Sequence, residues 1–366
     1  MYSILPQFTG GKLLSKGAYG CVFTPPLRCK INNNISSAPI SNSTTDNMIS
    51  KILTKNEAVL ESSITQRITH IPLWKNYFVV SESVCKTPAP RTGQLEEDID
   101  KCSMLKGKRL DSFSLLTMQF GGIPLSMYKF NLHTFSLFDF VSHLLEAVSL
   151  LTVYGITHRD LHDNNILVDK NGVPRIIDFN VSIDTTRPIR VNEIRHVANF
   201  TIYQESPDSA LINAVAEGIH VNTVIHRIAQ SRIFDIFEST LDIDRHMIKE
   251  QLYDYYNTSK YVQAGDDAKW LSVYWTKQDS WSIGIILLQM ITKLSLWPEF
   301  VKSNQYKDNK DILFAIIHGL CQINPRSRIT CIEALAKFNP ESDILKIKGV
   351  NKWLPTTQSK SLPSVK

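Results

Sequence analysis

The residues of this chain whose types and spacing could do chemistry gather in one stretch: His158-Arg159-Asp160, then Asn165, then Asp178-Phe179. Between the last two lie the short runs 166–168 and 175–177, which flank Asn171-Gly172, the strongest short signal for a tight β-hairpin. A hairpin there predicts that Asn165 and Asp178 sit at its adjacent ends, as two oxygen ligands at one mouth. Magnesium takes hard oxygen ligands and shares them with nucleotide phosphates, so an Asn and an Asp in that arrangement suit Mg-ATP. Asp160, five residues before Asn165, is spaced to accept the proton of an attacking hydroxyl.

Those residues need elements to hold them. Leu137, Val141, Leu144, Val148 and Leu151 fall on one helical stripe, so a helical region begins after Gly121-Gly122. Upstream the pattern is strand-like. Residues 8–23 read as strand, glycine turn and strand, and residues 48–53 as a further strand. A helix with Leu60, Ile64 and Ile68 at four-residue spacing follows. Strand-like runs at 76–83 and 113–120 flank a polar, charged stretch at 91–108. Residues 24–46 are rich in Pro, Asn, Ser and Thr and read as a loop insertion. Residues 209–269 read as mostly helical, 281–291 as strongly apolar, and the chain ends in a polar tail from about residue 355. There is no internal repeat.

Composition narrows the classes. Lys and Arg number 40 against 35 Asp and Glu, scattered together, so the net charge of +5 gives no nucleic-acid footprint. The six cysteines contain no CxxC pair, so neither a zinc site nor a disulfide framework is expected, and a reducing compartment fits. No apolar stretch approaches a membrane span, and the N-terminus has no charged start followed by an apolar run. A soluble chain is expected.

The run from His158 to Phe179 resembles the catalytic loop and metal-binding motif of the protein kinase superfamily. The resemblance implies an α+β, bilobal protein-kinase-like fold, with a β-rich N-lobe over residues 1–120 and a mainly helical C-lobe over 121–354. The C-lobe carries a helical insertion at about 209–270, and the polar tail covers 355–366. It implies Asp160 as catalytic base, Asn165 and Asp178 as metal ligands, and Arg159 as partner of a phosphorylated activation loop. The cofactors implied are ATP and Mg2+, with Mn2+ as an alternative. Asn180 stands where the family has the glycine of Asp-Phe-Gly. Asn tolerates left-handed backbone better than other non-glycine residues, so the turn is expected to survive there.

Upstream, Ser15-Lys16-Gly17-Ala18-Tyr19-Gly20-Cys21-Val22 resembles the glycine-rich loop, with Ser15 in place of its first glycine. Ser15, Gly17, Gly20 and Val22 would then face the nucleotide; a plain hairpin turn is the plainer alternative. Lys51 resembles the strand lysine that holds the α- and β-phosphates. Its carboxylate partner should come from the next helix, where Glu57 and Glu61 lie one turn apart. Thr54 and Glu57 have capping-box spacing, so Glu61 is the expected partner. Met118-Gln119-Phe120 resembles the hinge that binds adenine. Ser206-Pro207-Asp208 resembles Ala-Pro-Glu, and the segments around Asp279 and Arg328 resemble two further kinase motifs, which predicts an Asp208–Arg328 ion pair.

His162-Asp163-Asn164 carries neither the lysine usual in serine/threonine kinases nor the Ala-Ala-Arg pattern of tyrosine kinases. Serine or threonine of proteins is the expected acceptor, on the lack of tyrosine-kinase features. Ser182, Thr185, Thr186 and Thr201 are candidate activating phosphosites. The insertion is read as an extra helical layer or as a docking site. A pseudokinase scaffold is the alternative function, although Lys51, Asp160, Asn165 and Asp178 are all present. The loop after Phe23, the strand around Lys51 and the long insertion look similar to divergent kinases of large nucleocytoplasmic DNA viruses, which implies host cytoplasm or virion. The partners expected are ATP and protein substrates, with no nucleic acid and no membrane.

Overall fold

The fold is a computed structural model describing residues 11–17, 20–27, 29–31, 34–35, 47–87, 96–189, 194 and 204–355. The start of the first expected strand, Ala18, Tyr19, most of 24–46, Arg91, Thr201 and the tail beyond residue 355 lie outside the described residues. The α+β class read from the sequence is the class observed. The chain divides into two compact units. One holds the residues up to Gly122 together with Ile177–Asn180, and the other holds Ile123–Ile176 and the chain from Val181.

The first unit contains, in chain order, β1 (Lys12–Lys16), β2 (Cys21–Thr24), β3 (Lys30–Ile31), β4 (Asn34–Ile35), β5 (Met48–Thr54), α1 (Lys55–Ile68), α2 (Trp74–Tyr77), β6 (Ser83–Lys86), α3 (Glu96–Asp100) and β7 (Phe113–Gln119). Its strands form one antiparallel sheet in the order β1-β2-β5-β7-β6-β3-β4. At the centre β5 pairs with β7 along its whole length, from Met48 opposite Gln119 to Thr54 opposite Phe113. Every residue of β5 from Ile49 to Leu53 is buried. The buried Ser50 hydroxyl is satisfied by the Leu27 N–H at 2.8 Å, as a polar group inside a sheet core requires.

Local chemistry starts α1 where the sequence says it should. The Thr54 side chain accepts from the Glu57 N–H, and the Glu57 carboxylate returns a bond to the Thr54 backbone, a complete capping box. The buried face differs from the expected stripe. Leu60 is 45% exposed, and the inner face is Ala58, Glu61, Ile64, Thr65 and Ile68. Ile64 and Ile68 are buried as expected; Leu60 falls outside, and the polar Glu61 and Thr65 take inner positions that apolar spacing does not mark. The expected strand at 76–83 is also corrected. Trp74–Tyr77 is a helical turn and the strand begins at Ser83. The loop after Phe23 contributes β3 and β4 to the sheet edge.

The cysteines require the largest correction. Cys21 is bonded to Cys102 and Cys29 to Cys85, so the first unit carries two disulfides. Cys21 and Cys102 lie in one apolar cluster with Phe23, Leu27, Ile52, Ile99, Leu105 and Leu115. The described part of the polar stretch, residues 96–108, is anchored through Ile99, Cys102 and Leu105, each fully buried.

The second unit runs through β8 (Ile123–Pro124), α4 (Leu137–Val153), β9 (Ile156–Thr157), β10 (Ile166–Val168), β11 (Pro174–Ile176), β12 (Ile183–Asp184), α5 (Pro207–Ala216), α6 (Val221–Ala229), α7 (Ile233–Leu241), α8 (Arg245–Thr258), α9 (Lys260–Gln263), α10 (Asp267–Leu294), α11 (Pro298–Lys302), α12 (Asn304–Leu320) and α13 (Cys331–Phe338). All five residues of the α4 stripe are buried. β10 and β11 form the hairpin, Ile166 opposite Ile176, and Gly172 takes the positive φ of 81° that its turn needs.

In α10 the stretch Gln278–Leu288 is buried on every side, and from Ile283 to Leu288 it carries no polar side chain. Helices α5 to α9 pack on this core. Phe237 meets Trp281 at 5.6 Å, Trp270 donates to the Tyr255 hydroxyl at 2.9 Å, and the Arg326 guanidinium holds Thr258 at 2.8 and 2.9 Å. No helix among the described residues is long and apolar enough to cross a membrane.

The Cys21–Cys102 bridge spans 81 residues, and in the chain-entropy relation closing a loop of that size removes about 4.5 kcal/mol of unfolded-state freedom. Calorimetry with and without reductant should show a lower unfolding temperature when reduced. Cys21→Ser with Cys102→Ser should show much of that loss without reductant.

Candidate active site

Lys51 sits on the central strand and is 7% exposed. A buried ammonium is tolerable only with counter-charges, and Lys51 has two. Its Nζ donates to Glu61 Oε2 at 2.9 Å and to Asp178 Oδ1 at 2.7 Å. Burial alone would drive the Lys51 pKa down. The two carboxylates outweigh it and hold the ammonium above its ordinary value. Glu61 reaches the lysine because β5 delivers Lys51 and the next helix begins four residues later, with Glu57 fixed in the cap.

Asp178, Phe179 and Asn180 belong to the same unit as Lys51. Phe179 is buried edge to face on Phe78, with centroids 5.9 Å apart. The left-handed residue of this segment is Asp178, φ 67°, and Asn180 is not among the positive-φ residues. The expectation that Asn180 serves the turn through a left-handed backbone is therefore corrected. With Asp178 supplying that conformation, a side chain at position 180 meets no backbone objection.

In the second unit the loop carrying His158-Arg159-Asp160 is pinned by Asp279 of α10. The Asp279 carboxylate accepts from Thr157 Oγ1 at 3.0 Å, from the His158 N–H at 2.7 Å and from the Arg159 N–H at 2.8 Å. Arg159 takes φ 68°, a conformation that persists only where its surroundings over-determine it. Asp160 follows, with its N–H on His158 Nδ1 at 3.2 Å. Asn165 is buried and donates from Nδ2 to the Asp160 carbonyl at 2.8 Å and to Asp160 Oδ2 at 3.2 Å. These bonds fix the Asp160 carboxylate through the Asn165 amide nitrogen and do not use the Asn165 amide oxygen. His162 Nε2 stands 3.9 Å from Asp160 Oδ2. Hydrogen bonding to His162, working against partial burial, holds Asp163 below the usual carboxylate range.

The remaining expected site residues fall as follows. Ser15 is exposed and lies opposite Val22, with a bulge between Leu13 and Ser15. The Gly17 N–H donates to the Gly20 carbonyl at 2.8 Å and closes the turn. A Cβ at Gly20 would come within 2.6 Å of the Ile52 carbonyl oxygen, so Gly20 is required for the approach of two strands, a packing reason that phosphate binding need not supply. Val22 lies opposite Lys51. Met118 is buried, Gln119 donates to Glu82 at 2.9 Å, and the Phe120 N–H is engaged by the Asn47 carbonyl at 2.7 Å.

Two features around Arg328 and Arg159 organise the same unit. Asp208 and Arg328 pair at 2.6 Å with both side chains sealed from solvent, and removing one partner of such a pair costs about 3–5 kcal/mol. Sequence reading passed over Glu205. Burial pushes its carboxyl up to about 8, against hydrogen bonds from Asn213 and Ser209 and the charge of Arg159. Its position just before Ser206-Pro207-Asp208 was the only signal. Of the candidate phosphosites, Ser182 donates to the His158 carbonyl, Thr185 to the Gly155 carbonyl and Thr186 to Asp184.

Residues 124–207 match the family model described as Protein kinase domain. That stretch contains Asp160, Asn165 and Asp178, and with the mixed α+β fold it supports a phosphotransferase of the protein kinase class. No curated protein matches the chain. Magnesium fits the donors present. Within the first unit Asp178 keeps Oδ2 beside the Oδ1 held by Lys51, and the buried Asn180 Oδ1 meets no donor among the described residues.

Between pH 4.5, where an unfolded glutamate ionises, and about 8, folded Glu205 holds a proton that the unfolded chain has released. Stability therefore falls as pH rises through that window and levels off above it. Glu205→Gln should raise the melting temperature at pH 8, at about 2–4 °C per kcal/mol recovered, with the gain shrinking towards pH 5. Melting curves of both proteins at pH 5, 6.5 and 8 check this.

Proposed function

We propose that the protein is an active serine/threonine protein kinase that transfers the γ-phosphoryl group of Mg-ATP to protein hydroxyls. The observation that carries this reading is the buried Lys51–Glu61–Asp178 network at 2.9 and 2.7 Å. A chain that had abandoned phosphate chemistry would have no use for a buried cation that needs two carboxylates to stay charged.

The division of labour follows from what each side chain can do. Lys51 supplies a fixed positive charge for the α- and β-phosphates, with Glu61 orienting it. Asp160, immobilised by Asn165, accepts the proton of the attacking hydroxyl and points it in line with the γ-phosphorus. Magnesium, when bound, neutralises charge on the phosphates. Asp178 and, by the same reading of the motif, Asn165 would supply its oxygen ligands. Asp279 acts at a distance by fixing the backbone from Thr157 to Arg159, so that Asp160 does not have to be ordered during the reaction. Serine and threonine are favoured over tyrosine because the residues after Asp160 lack the Ala-Ala-Arg pattern.

Transfer of labelled γ-phosphate from Mg-ATP to a mixed protein substrate, followed by phosphoamino-acid analysis, tests the reading. Label should appear on serine or threonine and disappear in Asp178→Ala. Asp160→Asn should lower turnover about 10²–10⁴-fold, the usual contribution of a positioned acid–base group, while ATP affinity stays close to wild type. Transfer to tyrosine alone would overturn the acceptor assignment. Measurable ATP binding without any transfer would identify a nucleotide-binding scaffold.

A further inference from the structure

Asn180 is 5% exposed, and its Oδ1 finds no hydrogen-bond donor among the described residues. Leaving a buried amide oxygen unsatisfied is unfavourable, and such atoms in native proteins usually meet an ordered water, an ion or a catalytic group. The backbone does not account for the residue, because Asp178, not Asn180, takes the left-handed conformation. Asn180 stands two residues after Asp178, within the segment Ile177–Asn180 that groups with the first unit. The residue between them, Phe179, is locked on Phe78, so the two polar side chains emerge from a fixed stretch of chain.

We propose that Asn180 is a positioning residue of the divalent-cation site built on Asp178, its amide oxygen accepting a hydrogen bond from a water in the cation's coordination sphere. The inference rests on the reading of Asp178 as a cation ligand. Magnesium gives up water reluctantly and keeps several in protein sites. A metal-bound water is a strong donor, and an acceptor already desolvated and held still is a suitable partner. Outer-sphere partners of this kind change metal affinity about 10–100-fold.

The experiment is a titration of Mn2+ into the full chain with a non-hydrolysable ATP analogue, following free Mn2+ by electron paramagnetic resonance. Asn180→Ala should weaken Mn2+ binding about tenfold. Asn180→Asp, which keeps an oxygen at the same place, should bind at least as tightly as wild type. Added Mn2+ should raise the melting temperature of Asn180→Asp more than that of wild type. Asp178→Ala should lose the site.

If Asp178→Ala loses binding while Asn180→Ala matches wild type, the inference fails and the cation-site reading stands. A rise in the cation-free melting temperature of Asn180→Ala with unchanged affinity would mark the amide as an uncompensated packing residue, which also overturns the proposal. If Asp178→Ala binds Mn2+ like wild type, both fall together. Should Asn180→Ala fail to fold, an Asn180→Asp variant with weakened affinity and no added metal-dependent stabilisation overturns the proposal by itself.

Discussion

The larger unit is organised around one buried carboxylate. Asp279 is 3% exposed, and an isolated anion there would be strongly unfavourable. Three donors from consecutive residues, Thr157, His158 and Arg159, compensate it. The compensation works in both directions. The charge is satisfied only if the backbone after β9 takes one path, and that path includes a left-handed arginine. Asp160 and Asn165 inherit their positions from it. For Asp279 to reach the loop, α10 must run through the middle of the unit. Its next turns are accordingly buried all round, and the helix approaches the end of α12 so closely that a Cβ on Gly284 would lie 2.6 Å from Cys321 Sγ.

The smaller unit solves a related problem with the opposite sign. Lys51 is a cation in the middle of a sheet whose neighbours, Ile49, Ile52 and Leu53, are core residues. Its charge is retained because α1 begins immediately after β5 and presents Glu61 on the turn facing the strand, while Asp178 arrives from far along the chain. Each unit therefore fixes its polar residues by burying a charge and distributing its partners over several elements. Loss of any one partner is felt as an uncompensated charge before it is felt as lost chemistry.

What could be read in the sequence and what could not differ in range. Asp160, Asn165 and Asp178 are legible because they lie within 19 residues of chain, around a hairpin that Asn171-Gly172 announces. The choice of Glu61 over Glu57 was legible because the capping box is a local pattern that accounts for Glu57. Leu60 misled because helical periodicity counts apolar residues, and the inner face of α1 contains Glu61 and Thr65, polar residues buried for the sake of partners. Backbone tolerance does not account for Asn180, because φ belongs to a segment and the left-handed residue is its neighbour but one, Asp178. Glu205 carries no motif of its own, and only its burial against Ser209 and Asn213 sets it apart. The disulfides were illegible in principle, with separations of 81 and 56 residues and no local spacing.

The distribution of sulfur follows the division of the chain. All four bonded cysteines lie in the first unit, and the two free thiols, Cys321 and Cys331, are both in the second, fully buried, with burial pushing their pKa values up. A thiol in that state is protonated and sealed, so an alkylating reagent can reach it only when the second unit opens. Sulfur in the first unit becomes alkylatable only after reduction. The molecule thus carries two independent chemical clocks, one counting openings of the helical unit in the absence of reductant and the other recording the history of the sheet.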